Sequence, residues 1–199
     1  MTYKQSRGFY KHGNLPHLDL PGAVQFLSIV MADAAPKKQQ IRRISSEFQS
    51  GIEIIHAIDC EVDGNSGSCL LKHEHYASCV VDSIFRTSTD GQHNPLAWVI
   101  MPNHLHLLTR VNQESDIGRI VNRLKSGSAT SINRLRGSSG KFWQRGYFDR
   151  MIRSDDQLWR TIDYIHNNPV EAGLVSDPQH WKMSSIHGFS REAVLEKLR

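Results

Sequence analysis

No apolar run in this 199-residue chain approaches the roughly 20 residues that span a bilayer, and the first ten residues lack the apolar stretch of a signal peptide. Cysteine is scarce. Cys60, Cys69 and Cys79 form an odd set with no CxxC pair, which argues against a disulfide framework and for reduced thiols. Low complexity is also missing: seven Phe, five Tyr and four Trp, with 39% hydrophobic residues, exclude a disordered or fibrous polymer. The length suffices for one sizeable core and not for two generous ones. The expectation is a single domain over residues 1–199, cytoplasmic, with no membrane partner.

Acid is nearly absent from one region. From Ile117 to Arg153 there are nine basic residues against Asp149 alone, a local charge of +8 that leaves −4 on the rest of the chain. A basic segment without a strongly apolar face points to a polyanion, nucleic acid before membrane; its bland counterpart is a solvated helix face.

Periodicity then supplies the elements. Ala23 to Ala32 reads as a buried strand after Pro21-Gly22, and Lys37 to about Ile58 as an amphipathic helix. A second helix is expected over His75 to Arg86, followed by a polar loop from Thr87 to Pro95. Leu96–Met101 and His104–Val111, broken at Pro102-Asn103, read as a β-hairpin. Ile117, Ile120, Val121, Leu124, Ile132 and Leu135 make one helical stripe, with Arg119, Arg123 and Arg134 on its far side. Ser154 and Gln157 form a capping box for a helix that Pro169 is expected to stop. Helices interspersed with strands and one clear hairpin imply an α+β sandwich with an antiparallel sheet.

His104-Leu105-His106 is the sharpest chemical feature. Alternate strand residues share a face, so both imidazoles can converge on one cation while Leu105 and Leu107 enter the core. The pair His73-Glu74-His75 sits at a helix start, where residues two apart diverge. Two histidines alone are more often hydrogen-bonded structural residues than ligands. Tyr164 and Asn168, four apart on the capped helix, offer a reactive hydroxyl and a further oxygen donor on neighbouring turns. Tyr147, in a Gly-flanked part of the basic segment, is the rival tyrosine.

Leu96 to Leu108, including Met101-Pro102-Asn103-His104-Leu105-His106, resembles the histidine motif of the REP-associated tyrosine transposases, which belong to the HUH single-strand nucleases. Phe142-Trp143-Gln144-Arg145-Gly146-Tyr147-Phe148-Asp149-Arg150 resembles the family's next block. Asp163-Tyr164-Ile165-His166-Asn167-Asn168-Pro169 is similar to the block that carries its nucleophile, and Leu15 to Phe26 to its N-terminal strand entry. The chain departs from the family pattern at Val30, where relatives usually carry Arg, and at Lys182-Met183 within Trp181–Ser185.

The resemblance implies a ferredoxin-like fold, metal ligation by His104, His106 and Asn168, and Mg²⁺ or Mn²⁺ as the ion. It also implies nucleophilic attack by Tyr164 on single-stranded, hairpin-forming DNA, through a 5′-phosphotyrosine and without a nucleotide cofactor. Arg119, Arg123, Lys125, Arg134, Trp143, Gln144 and Arg145 are the expected DNA contacts: cations follow the backbone and aromatics stack on unpaired bases. The chain is expected to be nucleoid-associated and a monomer or homodimer. Two other readings stay open at this point: a DNA-binding protein of the same fold that has lost cleavage, and a phosphodiesterase that uses water.

Overall fold

The computed structural model describes residues 8–12, 15–36, 39, 40, 43, 46, 57–62 and 66–198. Most of the helix expected over Lys37–Ile58 lies outside these residues. A short hairpin, β1 (Gly8–His12) and β2 (Leu15–Asp19), precedes β3 (Val24–Val30). A helical segment at 57–62 and a single 3₁₀ turn lead to α1 (Glu74–Thr89). Then follow β4 (His93–Ile100), β5 (His104–Val111), α2 (Ile117–Leu135), β6 (Phe148–Met151), α3 (Asp155–Glu171) and α4 (Arg191–Lys197). Among the described residues no helix is long and apolar enough to cross a membrane.

The main sheet runs β4-β5-β3-β6, and every neighbouring pair is antiparallel. Consequently β3 is parallel to β4 and β5 to β6, and the connections across the intervening strand pass through α1 and α2 respectively. That is the split βαβ arrangement of a ferredoxin-like sheet. The edge strand β4 carries Pro95 and a register shift between Pro95 and Ala97, features that discourage further pairing.

Strand alternation divides the core into two. Leu27 and Ile29 of β3 and Leu105 and Leu107 of β5 pack under α1 and α2, with Val80, Ile84, Ile120, Val121 and Leu124. Those two helices approach closely at Gly127, where an added Cβ would meet the Ser83 Oγ at 2.9 Å, and the Ser83 hydroxyl donates to the Leu124 carbonyl. On the opposite face Phe26, Val99 and Leu108 pack under α3 through Leu158, Ile162 and Ile165, with Val194 of α4.

Two local expectations are corrected. Thr87–Pro95 is not a loop. α1 continues to Thr89, the turn is confined to Asp90–Gln92, and β4 begins at His93. The buried His93 ring explains the early start: it bridges the Thr87 and Thr109 hydroxyls at 2.9 and 2.6 Å, which ties a polar stretch to the sheet. Nor does Pro169 stop its helix, which runs on to Glu171 and ends at Ala172-Gly173. A proline so near the C-terminus forfeits one backbone hydrogen bond, and tertiary burial of Ile165, Asn168 and Pro169 outweighs that loss.

Candidate metal and nucleophile site

β5 sends Leu105 and Leu107 into the α1–α2 core and His104 and His106 to the face covered by α3. The two imidazoles are fully buried, and their Nε2 atoms lie 3.0 Å apart. Asn103 fixes the first of them. Its amide nitrogen donates to the carbonyls of Val62 and Ser66, at 2.8 and 2.9 Å, so its Oδ1 faces the His104 Nδ1 at 2.9 Å. An amide oxygen can only accept, so Nδ1 carries the proton and the Nε2 lone pair points into the site. Burial pushes the His104 imidazolium down to about 3, so the ring is neutral at physiological pH, the form that binds a metal.

A carboxylate that sequence reasoning did not single out completes the group. Asp59 lies in the helical segment 57–62, whose Ile58 and Val62 enter the core beside α1. Its Oδ2 lies 3.4 Å from the His106 Nε2 and accepts the hydroxyl of Tyr164. Ligand atoms of Asp59, His104 and His106 all lie within 4.8 Å of one another, and all three residues are buried. The available signal was an acid adjoining the apolar positions Ile55, Ile58 and Val62, because carboxylates rarely enter a core without a partner.

α3 supplies the rest. Ser154 caps it by accepting from the Gln157 backbone N–H, while the Gln157 side chain reaches back to the Arg153 N–H. Tyr164 is half-buried, edge-on to Phe26 at 6.1 Å and 5.6 Å from the His106 ring, so its hydroxyl is aimed rather than free to wander. One turn on, Asn168 is buried, and its Oδ1 has no hydrogen-bond partner among the described residues. An orphaned buried amide oxygen of this kind suits a cation. The two imidazoles and the carboxylate make a donor set that fits a divalent ion, and Asp59 adds a negative charge that the three residues expected from sequence lack.

The expected DNA contacts separate into groups. Trp143 is a packing residue: it is buried against Phe142, and its indole donates to the Ser128 hydroxyl. Its backbone bridges to Met31 beside the end of β3 and its indole lies against α2 at Ser128, so the buried ring offers no open face to a base. Lys125 is also occupied. Its ammonium donates to the carbonyls of Gln144, Arg145 and Gly146, and burial pushes it down to about 8. Arg123 pairs with Asp90 at 2.7 Å across the surface.

Arg119, Arg134 and Arg145 are exposed. Gln144 donates its backbone N–H to Val30, the residue opposite His104, so the Gln144–Arg145 loop lies at the histidine end of the sheet. α2 starts beyond Val111, roughly 23 Å along β5 from His104 at the usual strand rise, which places Arg119 at the far end.

The profile of the family described as "Transposase IS200 like" matches residues 70–168, from the 3₁₀ turn before α1 to Asn168. Over that stretch, just under half of its length, the chain is similar to the IS200-like transposases. It is 31% identical over 109 residues to a Haemophilus influenzae protein provisionally assigned as a REP-associated tyrosine transposase, covering 48% of this chain and 62% of that one. It is 26% identical over 106 residues to the REP-associated tyrosine transposase of Escherichia coli K12, covering 53% of this chain and 61% of the other. The chain thus spans about three fifths of the length of these curated relatives. A solved structure of a REP-associated tyrosine transposase bound to a REP hairpin shares the fold. The TM-score is 0.58 at 17% identity, over 89% of this chain and 84% of that one.

Proposed function

We propose that this chain is a metal-dependent single-stranded DNA endonuclease and strand transferase that acts on hairpin-forming DNA through a covalent 5′-phosphotyrosine at Tyr164. One observation carries the reading: a tyrosine hydroxyl is hydrogen-bonded directly into a buried His-His-Asp cluster. A structural tyrosine packed under a sheet has no need of two buried imidazoles and a carboxylate beside its oxygen.

His104, His106, Asp59 and Asn168 would hold the ion, Mg²⁺ or Mn²⁺, and so mixed a nitrogen and oxygen set suits Mn²⁺ better than Mg²⁺. When bound, it would polarise the scissile phosphate and offset charge growing on its oxygens. Tyr164 makes the new bond. Its phenolic oxygen attacks phosphorus, the P–O3′ bond breaks, the phenolic proton is released, and the departing 3′ oxygen takes up a proton to become a free hydroxyl. Attack by a different 3′-hydroxyl reverses these changes and restores the tyrosine, so phosphodiester energy is retained without a nucleotide cofactor. Phe26 and the His106 ring hold the phenol in place. Arg134, Arg145 and the Gln144 side chain, whose Nε2 has no partner among the described residues, are the nearest candidates for the DNA backbone at the site.

The experiment is adduct trapping. Purified protein with Mn²⁺ and hairpin-containing single-stranded oligonucleotides should yield a denaturant-stable protein–DNA band that maps by mass spectrometry to Tyr164. Tyr164→Phe should abolish the band completely while hairpin binding survives. Cleavage without an adduct, or DNA attached to Tyr147, would overturn the reading.

A further inference from the structure

Asp59 has two claims upon it at once. Its Oδ2 accepts the Tyr164 hydroxyl, and the same oxygen is the carboxylate atom facing the His106 Nε2. This carboxylate oxygen thus stands between the nucleophile and the donor set. A phenol that donates to a carboxylate has its proton committed and its oxygen held towards that acceptor. The same carboxylate oxygen, turned to a divalent ion, becomes a weaker acceptor for the phenol.

From this geometry we infer that Asp59 is an exchange ligand: it holds the Tyr164 hydroxyl while the site is empty and passes to the metal when the site fills, so that metal loading is what frees the nucleophile. The inference rests on the metal-dependent reading above. Its consequence for the protein is that the tyrosine is restrained until the group that activates the phosphate is in place, which would protect DNA from unproductive attack. No covalent bond of the protein is made or broken in the exchange. A hydrogen bond is traded for a coordination bond, and the phenol keeps its proton until it meets a phosphate.

Linkage makes the idea testable without turnover. If the ion weakens the Tyr164–Asp59 hydrogen bond, that hydrogen bond must weaken ion binding by the same factor. Removing the hydroxyl should therefore tighten metal affinity, the reverse of what loss of a ligand does. Tyr164→Phe keeps the ring against Phe26 and His106 and deletes only the competitor.

Free Mn²⁺ measured by electron paramagnetic resonance in titrations of the full chain, without DNA, gives the affinity directly. We expect Tyr164→Phe to bind Mn²⁺ about fivefold more tightly or better, and Asp59→Asn to bind about tenfold more weakly or worse. In protein labelled at the tyrosine ring carbons, Mg²⁺ should shift the resonance assigned to Tyr164 by its loss in Tyr164→Phe. Circular dichroism checks that Asp59→Asn folds; if it does not, Tyr164→Phe and the Mg²⁺ titration of wild type decide alone. Unchanged or weaker Mn²⁺ affinity in Tyr164→Phe, or a Tyr164 resonance indifferent to Mg²⁺, refutes the exchange. Should that happen while a Tyr164 adduct still forms, the proposed function stands and only the exchange falls. Tighter binding in Tyr164→Phe with no adduct on any hairpin would leave the exchange standing and remove the function.

Discussion

The two faces of the sheet are built from the same strands by the same alternation, yet they differ in what they bury. Under α1 and α2 the contacts are mostly apolar, aliphatic and aromatic, and the histidine on that side, His93, is satisfied by two threonine hydroxyls. Under α3 the aliphatic packing of Leu158, Ile162 and Ile165 gives way at the start of β5 to His104, His106 and the hydroxyl of Tyr164, with Asn168 buried one turn further along α3. On one face His93 is held between two hydroxyls, whereas the other gathers imidazoles, a carboxylate and a phenol around one point and leaves the Asn168 Oδ1 without a hydrogen-bond partner among the described residues. Buried polarity is costly unless satisfied, so the second face is poised for a ligand and the first is not. Neighbouring residues of one strand can therefore serve stability and chemistry separately.

The sharpest way to break that comparison is to mutate adjacent positions of β5. His106→Ala should lower Mn²⁺ affinity by more than about a hundredfold and abolish adduct formation, with the melting temperature barely altered. Leu107→Ala should do the opposite, costing roughly 2–5 kcal/mol in denaturant unfolding while the folded protein keeps its metal affinity. If both substitutions damage both properties, the division between faces is wrong.

A smaller effect is expected from Asn103→Ala. It leaves every ligand in place and removes the group that sets the His104 proton, so Mn²⁺ affinity should drop about 10- to 100-fold. Asn103 also ties the 57–62 segment to β5, and a thermal melt separates that structural loss from the change in affinity.

Acid should sharpen the contrast further. Burial pushes His93, on the α1–α2 side, and His166, which meets the Ser185 hydroxyl at 3.0 Å beside the edge strand, each from 6.5 down to about 4. The unfolded chain binds these protons first. Stability is thus full above about 6.5 and falls as pH drops towards 4, by about 1.4 kcal/mol per pH unit for each histidine. His93→Gln should flatten that decline in urea titrations between pH 4 and 6.5, even if it lowers stability at pH 7.

The smallest effect concerns the DNA. Arg145→Ala, at the histidine end, should weaken hairpin binding severalfold and reduce its salt slope by about one unit, whereas Arg119→Ala, at the far end of β5, should do less. Equal effects in fluorescence-anisotropy titrations would show that DNA runs over α2 as well as the site.

Much of this organisation was legible in one dimension. The apolar stripe over Ile117–Leu135 coincides with α2 at both ends, because a full 3.6-residue period with a polar far side has few other ways to bury itself. The hairpin around Pro102-Asn103 and the shared face of His104 and His106 follow from the two-residue period in the same way. The failures have one cause. Trp143 sits in a basic segment that suggested a stacking platform, but its backbone bridges to Met31 beside the end of β3 and its ring is buried against α2. Lys125 looked like a phosphate contact, but three carbonyls of a loop some 20 residues away claimed it. Asp59 carried no motif at all, and it meets Tyr164 across 105 positions of chain.

By itself, then, the sequence determined the periods, caps and turns, and with them which side chains leave each element on which face. The match of four short blocks to one family added the expectation of a nucleophile and a set of ligands. Only the tertiary structure decided which acid joins the histidines, which cations are consumed by backbone carbonyls, and which aromatic is core. Periodicity encodes contacts within a few turns or one hairpin. The neighbours of a buried polar group are chosen by how the sheet and its helices close upon each other, where burial and hydrogen-bond satisfaction outweigh local preference.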